Sequence, residues 1–392
     1  MNEISISSAI SKLHSIIVSF FLFIFLSLVI IFISAINGIE IKSLKFPSIN
    51  IEKLYIKWDQ KLIVTAQSIE IKTSKKKKIE LNYQKKLKNS FDILRNVYEF
   101  SDLVQEIDIK KITINDTNIS FRYKIDEDSF LSIKSGKIKA LCRIEAQKNR
   151  SIVYINQFEN TKEQFHIYGI AIIDNTKEEI TSKLHMDILR DANLTLYMYM
   201  NTNKLFYSAE SHKSIDNLPQ IVKILNIPKD INKWIYDATK VKDTNLKTLY
   251  GSVNLLKPEE IMQYIYVDAD FNALEYTFDT RLAPIITSNT NLIFEKGILH
   301  IRPKNGKFHN QDLNNSYADI DFNPDKYLLT LHLQDLLSLD SDVLDLLKTY
   351  KVNIPFMQTS SKVDTNLFIS VKLENSDTQV DGNFTIGQGT FL

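Results

Sequence analysis

Apolar and polar residues alternate with a period of two along most of this chain, in short runs separated by turn residues, which predicts a long succession of half-buried β-strands. Ile39 and Ile41, Ile49 and Ile51, Leu54 and Ile56, and Leu62, Val64, Ile69 and Ile71 open the series. It resumes at Ile107 and Ile109, Ile112 and Ile114, and Ile119, Phe121 and Tyr123. Leu131 and Ile133, Ala140 to Ile144, Ile152 to Ile155, Phe165 to Ile173, Leu184 to Ile188 and Leu194 to Met200 continue it. Later strands fall at Leu274-Tyr276-Phe278, Leu292 to Phe294, Leu299 to Ile301, Ala318 to Phe322, Tyr327 to Leu333, Leu367 to Leu373 and Phe384 to Ile386. In most of them one parity is apolar and the other carries Lys, Asp, Asn, Thr or Ser, the pattern of an antiparallel sheet with one wet face.

Helical spacing interrupts the alternation in a few places. Phe91, Leu94, Val97, Tyr98, Leu103 and Val104 predict a helix over 91–105 with Ser90 as its cap. Pro219 and Pro228 each suit the first turn of a helix, so 218–239 is expected to be a helical hairpin packing Ile221, Ile224, Leu225, Ile231, Trp234 and Ile235. Pro258 to Met262 predicts one helical turn, and Leu336 to Tyr350 a short helix.

The run from Ile16 to Ile36 has neither alternation nor charge. As a helix it would extend about 31 Å, matching a hydrocarbon core of roughly 30 Å, so it is expected to be a single transmembrane helix after a short tail, 1–15. A cleaved signal peptide is the rival, but its apolar core is usually only about 7–15 residues and ends at a small-x-small site, which Ser34 to Gly38 does not offer. Lys42, Lys45, Lys53 and Lys57 follow the run and only Lys12 precedes it. The positive-inside rule would then leave the body on the cytoplasmic side, although long domains translocate largely regardless of charge. The body divides in this reading into a region at 38–215 and a second at 216–392.

A formal charge of +1 leaves no overall field to attract nucleic acid. Lys75, Lys76, Lys77 and Lys78, with Lys72, Lys85, Lys86, Lys88 and Arg95, form the one dense basic tract. It is either a solvated hairpin tip or a contact to anionic headgroups, at about 1 kcal/mol per residue near the surface. Cys142 is alone and the histidines at 14, 166, 185, 212, 300, 309 and 332 have no metal-ligand spacing. No dinucleotide fingerprint, phosphate loop or Gly-x-Ser-x-Gly elbow is present, and Asp126-Glu127-Asp128 and Asp340 to Asp345 fit turn and helix surfaces. The expectation is a protein without catalytic residues, cofactor or metal. Met186, Met198 and Met200 share one parity with Leu184, Ile188, Leu194 and Leu196. That parity suits a sheet core, or a soft surface for flexible acyl chains.

A family resemblance emerges from the order of these elements. After the apolar run come Gly38-Ile39-Glu40-Ile41 and the Ile49 to Leu54 strand; later Leu218-Pro219-Gln220-Ile221-Val222-Lys223-Ile224-Leu225 leads into Trp234-Ile235-Tyr236-Asp237-Ala238. Val267-Asp268-Ala269, Leu274-Glu275-Tyr276, Ala283-Pro284-Ile285, Phe294-Glu295-Lys296-Gly297-Ile298-Leu299-His300-Ile301 and the turn Asn305-Gly306 follow. This order resembles the AsmA-like envelope proteins, specifically the YhdP-type branch related to TamB, over the N-terminal and central parts. Such chains are typically longer, and the pattern here stops in mid-strand at Gly389-Thr390-Phe391-Leu392. The resemblance therefore implies a further C-terminal portion or partner chain.

The same resemblance implies a bridge-like lipid conduit: an inner-membrane anchor bearing a long twisted antiparallel sheet, curved into a trough whose apolar side carries phospholipid between bacterial membranes. Localisation would be single-pass in the inner membrane, with the body in the periplasm. About 22 strands at roughly 4.8 Å spacing would extend about 100 Å. The expected trough lining is Leu184, Met186, Ile188, Leu194, Leu196, Met198, Leu274, Tyr276, Phe278, Leu329, Leu331 and Leu333, with Lys75 to Lys78 at headgroups. An envelope assembly scaffold acting through its strand edges is the alternative.

Overall fold

A computed structural model of the chain describes residues 34–72, 82–215 and 238–386, apart from 148, 163, 190, 278–279, 324–325, 350, 352, 356, 359 and 376. Residues 16–33 of the expected membrane helix, Lys75 to Lys78, most of the helical hairpin, Phe278 and the last strand residues lie outside these. Residues 34–37 are helical, and among the described residues no helix is long and apolar enough to cross a membrane. The fold is mainly β, as the alternation predicts, and divides into two compact units. One lies within Met1–Leu81 and Asn89–Phe158, the other within Asn82–Lys88 and Glu159–Leu392. The boundary between the two units falls after Phe158.

In the first unit lie strands β1 (Ile39–Lys45), β2 (Ile49–Asp59), β3 (Lys61–Ala66) and β4 (Ser68–Ile71), which precede helix α1 (Tyr83–Ser101), of which the residues from Asn89 onward belong to this unit. Strands β5 (Val104–Ile114), β6 (Thr117–Lys124), β7 (Ser129–Ser135), β8 (Ile138–Gln147) and β9 (Arg150–Asn160) follow it. β1 pairs antiparallel with β2, and β2 with the interrupted strand formed by β3 and β4. β5 then pairs parallel with both β3 and β4 before β6, β7 and β8 add antiparallel. The sheet is therefore mixed where a purely antiparallel one was expected. The crossover through α1 returns the chain to the end from which β3 and β4 set out, and only a parallel strand can follow such a return.

Helix α1 begins a full two turns before the expected residue 91 and Ser90 lies inside it. Its cap is Asn82, whose Oδ1 accepts the Lys85 N–H at 2.8 Å. The lysines at 85, 86 and 88 hide this start from an apolar-periodicity reading, although lysine is a good helix former.

The second unit is antiparallel. Its strands are β10 (Phe165–Asp174), β11 (Glu179–Ile188), β12 (Ala192–Met200), β13 (Lys204–Ser211), the short β14 (Thr239–Lys240), β15 (Asp243–Asn254), β16 (Ile265–Tyr276) and β17 (Ile285–Glu295). Then come β18 (Ile298–Lys304), the short β19 (Lys307–Phe308) and β20 (Gln311–Asp312), β21 (Tyr317–Asp321), β22 (Leu328–Leu337), β23 (Val363–Lys372) and β24 (Thr378–Ile386). Hydrogen bonding runs β10-β11-β12-β13-β15-β16-β17-β18-β21-β22-β23-β24. Between β17 and β18 the two turn residues Lys296 and Gly297 both take positive φ, 51° and 78°, a conformation whose twist matches that of a two-residue hairpin. Pro258–Gln263 is the expected single helical turn, of 3₁₀ type.

The closing helix is shorter than expected. β22 continues through Leu336, which is exposed, and Leu337, which is buried, so the alternation persists there and α2 spans only Ser341–Thr349. Asp340 caps it, its Oδ1 accepting the Val343 N–H at 3.1 Å, and its other oxygen accepts Gln311 Nε2 at 2.6 Å. Val343, Leu346 and Leu347 of α2 join Ile320, Leu329, Leu337, Val363 and Ile369 in one closed core over the C-terminal strands. Asp335 fastens the loop before β21 to this core, accepting Ser316 Oγ at 2.5 Å and the Asn315 N–H at 3.3 Å.

Candidate functional site

Strand register decides whether one-sided alternation adds up to a surface, because every residue on one face must meet an apolar partner on the next strand. In the first unit it does. Leu44, Ile51, Ile69, Ile112, Ile119, Ile133 and Ala140 are successive cross-strand partners over seven strands, from β1 to β8. A neighbouring row runs Ala66, Ile109, Phe121, Leu131 and Cys142. Apart from Ala66, every residue of both rows is only half-buried. A packed sheet normally seals such isoleucines, and a contiguous half-open apolar face marks a surface that meets something apolar.

The reverse face of this unit is mainly polar along the same register, with Phe130 and Leu141 exposed on it. Thr65, Asp108, Arg122, Phe130 and Arg143 form one row, and Glu70, Thr113, Asn118, Lys134 and Lys139 another. Arg143 pairs with Asp128 at 3.0 Å and with Glu145 at 2.9 Å, and its guanidinium stacks 3.8 Å from the Tyr154 ring centroid. Burial pushes the Cys142 thiol above its usual pKa, so it is a small apolar residue of the inner row and not a ready thiolate.

The second unit carries an even longer row: Gly169, Leu184, Leu196, Ala209, Leu249, Val267, Phe294, Leu299, Ile320, Leu329 and Val371 on eleven successive strands. Beside it run Ala269, Leu292, Ile301, Ala318, Leu331, Ile369 and Val380. At roughly 4.8 Å per strand the eleven-residue row extends about 48 Å along the sheet. Exposure varies along it: Leu184 and Ala209 are buried, Leu196, Leu249, Val267, Phe294 and Leu299 are half-buried, and Ile320 and Leu329 are each 1% exposed beneath the closed core.

Burial sorts the residues that the sequence assigned to the lining. Leu184, Met186, Ile188, Leu194, Leu196 and Met198 do share one face, with Leu184 opposite Leu196 and Met186 opposite Leu194. Ile188 and Leu194 belong to a small buried cluster with Ala192 and Ile215, against which Met186 packs. Leu274, Tyr276, Leu329 and Leu331 are buried in the core under α2, with the half-buried Leu333 packed against it. The half-open isoleucines of the first unit were not singled out from sequence. Their alternation was legible, but only the register shows that the isoleucines stack strand upon strand.

A double bend sets the shape of the closed part. Ala273, at φ 51°, shifts the inward parity of β16, so that Val267, Ala269 and Phe271 share a face with Leu274 and Tyr276. β17 shifts at the same level, and the hydroxyls of Thr287 and Thr290, both buried, share one hydrogen bond of 2.5 Å. A cavity of about 60 Å³ lies at this bend, between the sheet and α2.

The charged groups around Asp270 and Asp319 lie on the reverse face of the second unit, whereas Asp335 is buried. Lys247 donates to Asp270 at 2.7 Å and lies 3.7 Å from Asp268, while Asn291 donates to Asp268 at 2.8 Å and to Asp270 at 3.1 Å. Burial alone would raise the Asp270 pKa, but the hydrogen bonds from Lys247 and Asn291 together outweigh it and hold the carboxyl below the usual range. The hydrogen bond to Asp270 raises Lys247 in turn. His300 and Arg302 converge on Asp319 at 2.8 and 2.7 Å, and the Thr195 hydroxyl bridges His185 and His212 at 3.1 and 2.6 Å. Among the described residues no three His, Cys, Asp or Glu side chains are placed to hold a metal ion. No protein-family model matches the chain, and no curated protein sequence matches it.

Proposed function

We propose that this protein carries phospholipids, its apolar sheet faces shielding acyl chains from water while Ile16 to Ile36 anchors it to the inner membrane and the body lies in the bacterial periplasm. The carrying is non-enzymatic and of the bridge-like kind that the AsmA-like resemblance implies. The observation that supports it is the half-open row from Leu44 to Ala140, backed on the other side of the same strands by ion pairs. A row of half-exposed isoleucines costs solubility unless an apolar ligand covers it. Each acyl methylene transferred there from water gains roughly 0.8 kcal/mol. Movement along such a face needs no reacting group, only neighbouring sites of similar affinity.

Native mass spectrometry with lipid extraction on the full chain, purified from a bacterial envelope, tests this. Several phospholipids per chain are expected, fewer after Ile119→Asp with the β-rich circular dichroism spectrum retained. A folded wild-type chain free of lipid would overturn the proposal. It would leave the scaffold reading, for which the edge strands are available: among the described residues β1 pairs with β2 and β24 with β23.

A further inference from the structure

We infer that the cavity under α2 is a seat for the methyl end of one alkyl chain, a terminal stop on the apolar row of the second unit; the inference rests on the lipid-carrying reading. Ile301, Ala318, Leu331 and Ile369 line the cavity and are successive partners in the shorter row, and the half-buried Phe294 and Leu299 of the longer row pack against the same core, so apolar surface continues from the half-open part of the sheet to the cavity wall. Phe308 and Leu346 close it from the loop and helix sides.

The surface that its wall turns to the space is apolar, and several polar groups around it are bonded elsewhere. Thr287 and Thr290 bond to each other, Gln311 is held by Asp340 and by the Ser338 N–H at 2.9 Å, and Ser316 is held by Asp335. A water placed there would lack the two to four polar partners that hold buried water, so the space favours an apolar occupant. Its volume of about 60 Å³ is under half that of an apolar cavity of about 150 Å³ that takes a benzene ring. That admits the narrow end of an alkyl chain and excludes a headgroup or a ring.

The test uses the full chain and vesicles of phosphatidylcholine bearing a photoreactive diazirine, either at the terminal carbon of one acyl chain or at its middle. Terminal-carbon adducts are expected on peptides containing Phe308, Leu331 or Leu346, with mid-chain adducts elsewhere. Ala318→Leu, which fills the cavity with three more carbons, should abolish those terminal adducts while lipid still copurifies. Ala318→Val reads the same effect if the leucine variant misfolds. Terminal adducts spread over other residues, with lipid still bound, would overturn the seat and leave the carrier reading standing. A chain that binds no lipid at all would overturn both.

Discussion

Truncating one leucine in the closed core and one isoleucine on the half-open face separates the two kinds of apolar surface by energy. Leu329 is 1% exposed and lies between Ile320 and Val371 in the long row. Leu329→Ala deletes three carbons from a site that water does not reach, which at roughly 0.8 kcal/mol each amounts to about 2.4 kcal/mol. The void left in a packed core raises this to about 3–4 kcal/mol. Ile119 sits between Ile112 and Ile133 but is half-buried, so Ile119→Ala forfeits only part of the same transfer energy and leaves no sealed void, at roughly 1 kcal/mol. The chain has two compact units, so a single global unfolding energy is not the appropriate measure. Peptide-resolved hydrogen exchange is, reading local opening in β21–β23 for Leu329→Ala and in β5–β7 for Ile119→Ala. Bound lipid should protect β5–β7 in the wild-type chain, and less so in Ile119→Asp. Equal losses of about 3 kcal/mol in both alanine variants would refute the reasoning, because the first unit's face would then be a sealed core.

Two further outcomes follow from the same structure. Gly169 holds φ 145° in β10, where an added Cβ would lie 2.3 Å from the Lys183 carbonyl oxygen; Gly169→Ala should therefore destabilise by more than about 1 kcal/mol, seen as faster exchange in β10 and β11. The Asp270 carboxyl has a folded pKa below its unfolded value, so its contribution is present above about pH 4 and is lost as pH falls through the folded pKa. In acid titrations followed by hydrogen exchange, β15–β17 of Asp270→Asn should lose less stability than the same strands of the wild-type chain.

Much was legible in the residues themselves. Period-two alternation depends on the backbone alone, since successive side chains point to opposite faces, and it located most strands and the polarity of their two faces. The 3₁₀ turn at Pro258 was legible for a similarly local reason, as proline acts on its own dihedrals. Local signals also misled. Ser90 looked like a helix cap because the apolar period starts after it, while the actual cap, Asn82, precedes a lysine-rich turn that has no apolar period.

Tertiary structure alone decided which alternating strands become neighbours, and therefore everything about the site. Leu331 and Ile119 are equally apolar members of equally regular strands. One is sealed because α2 and the loop pinned by Asp335 fold over it; the other is left half-open. Burial is a property of what covers a residue, and that partner is supplied by distant sequence. The parallel pairing of β5 and the bend at Ala273 have the same origin, since a crossover and a matched pair of parity shifts depend on where the chain returns, not on the composition of the strand that receives it. The sequence by itself determined an amphipathic, strand-rich chain, and the long-range pairing determined that its apolar faces run unbroken across the strands.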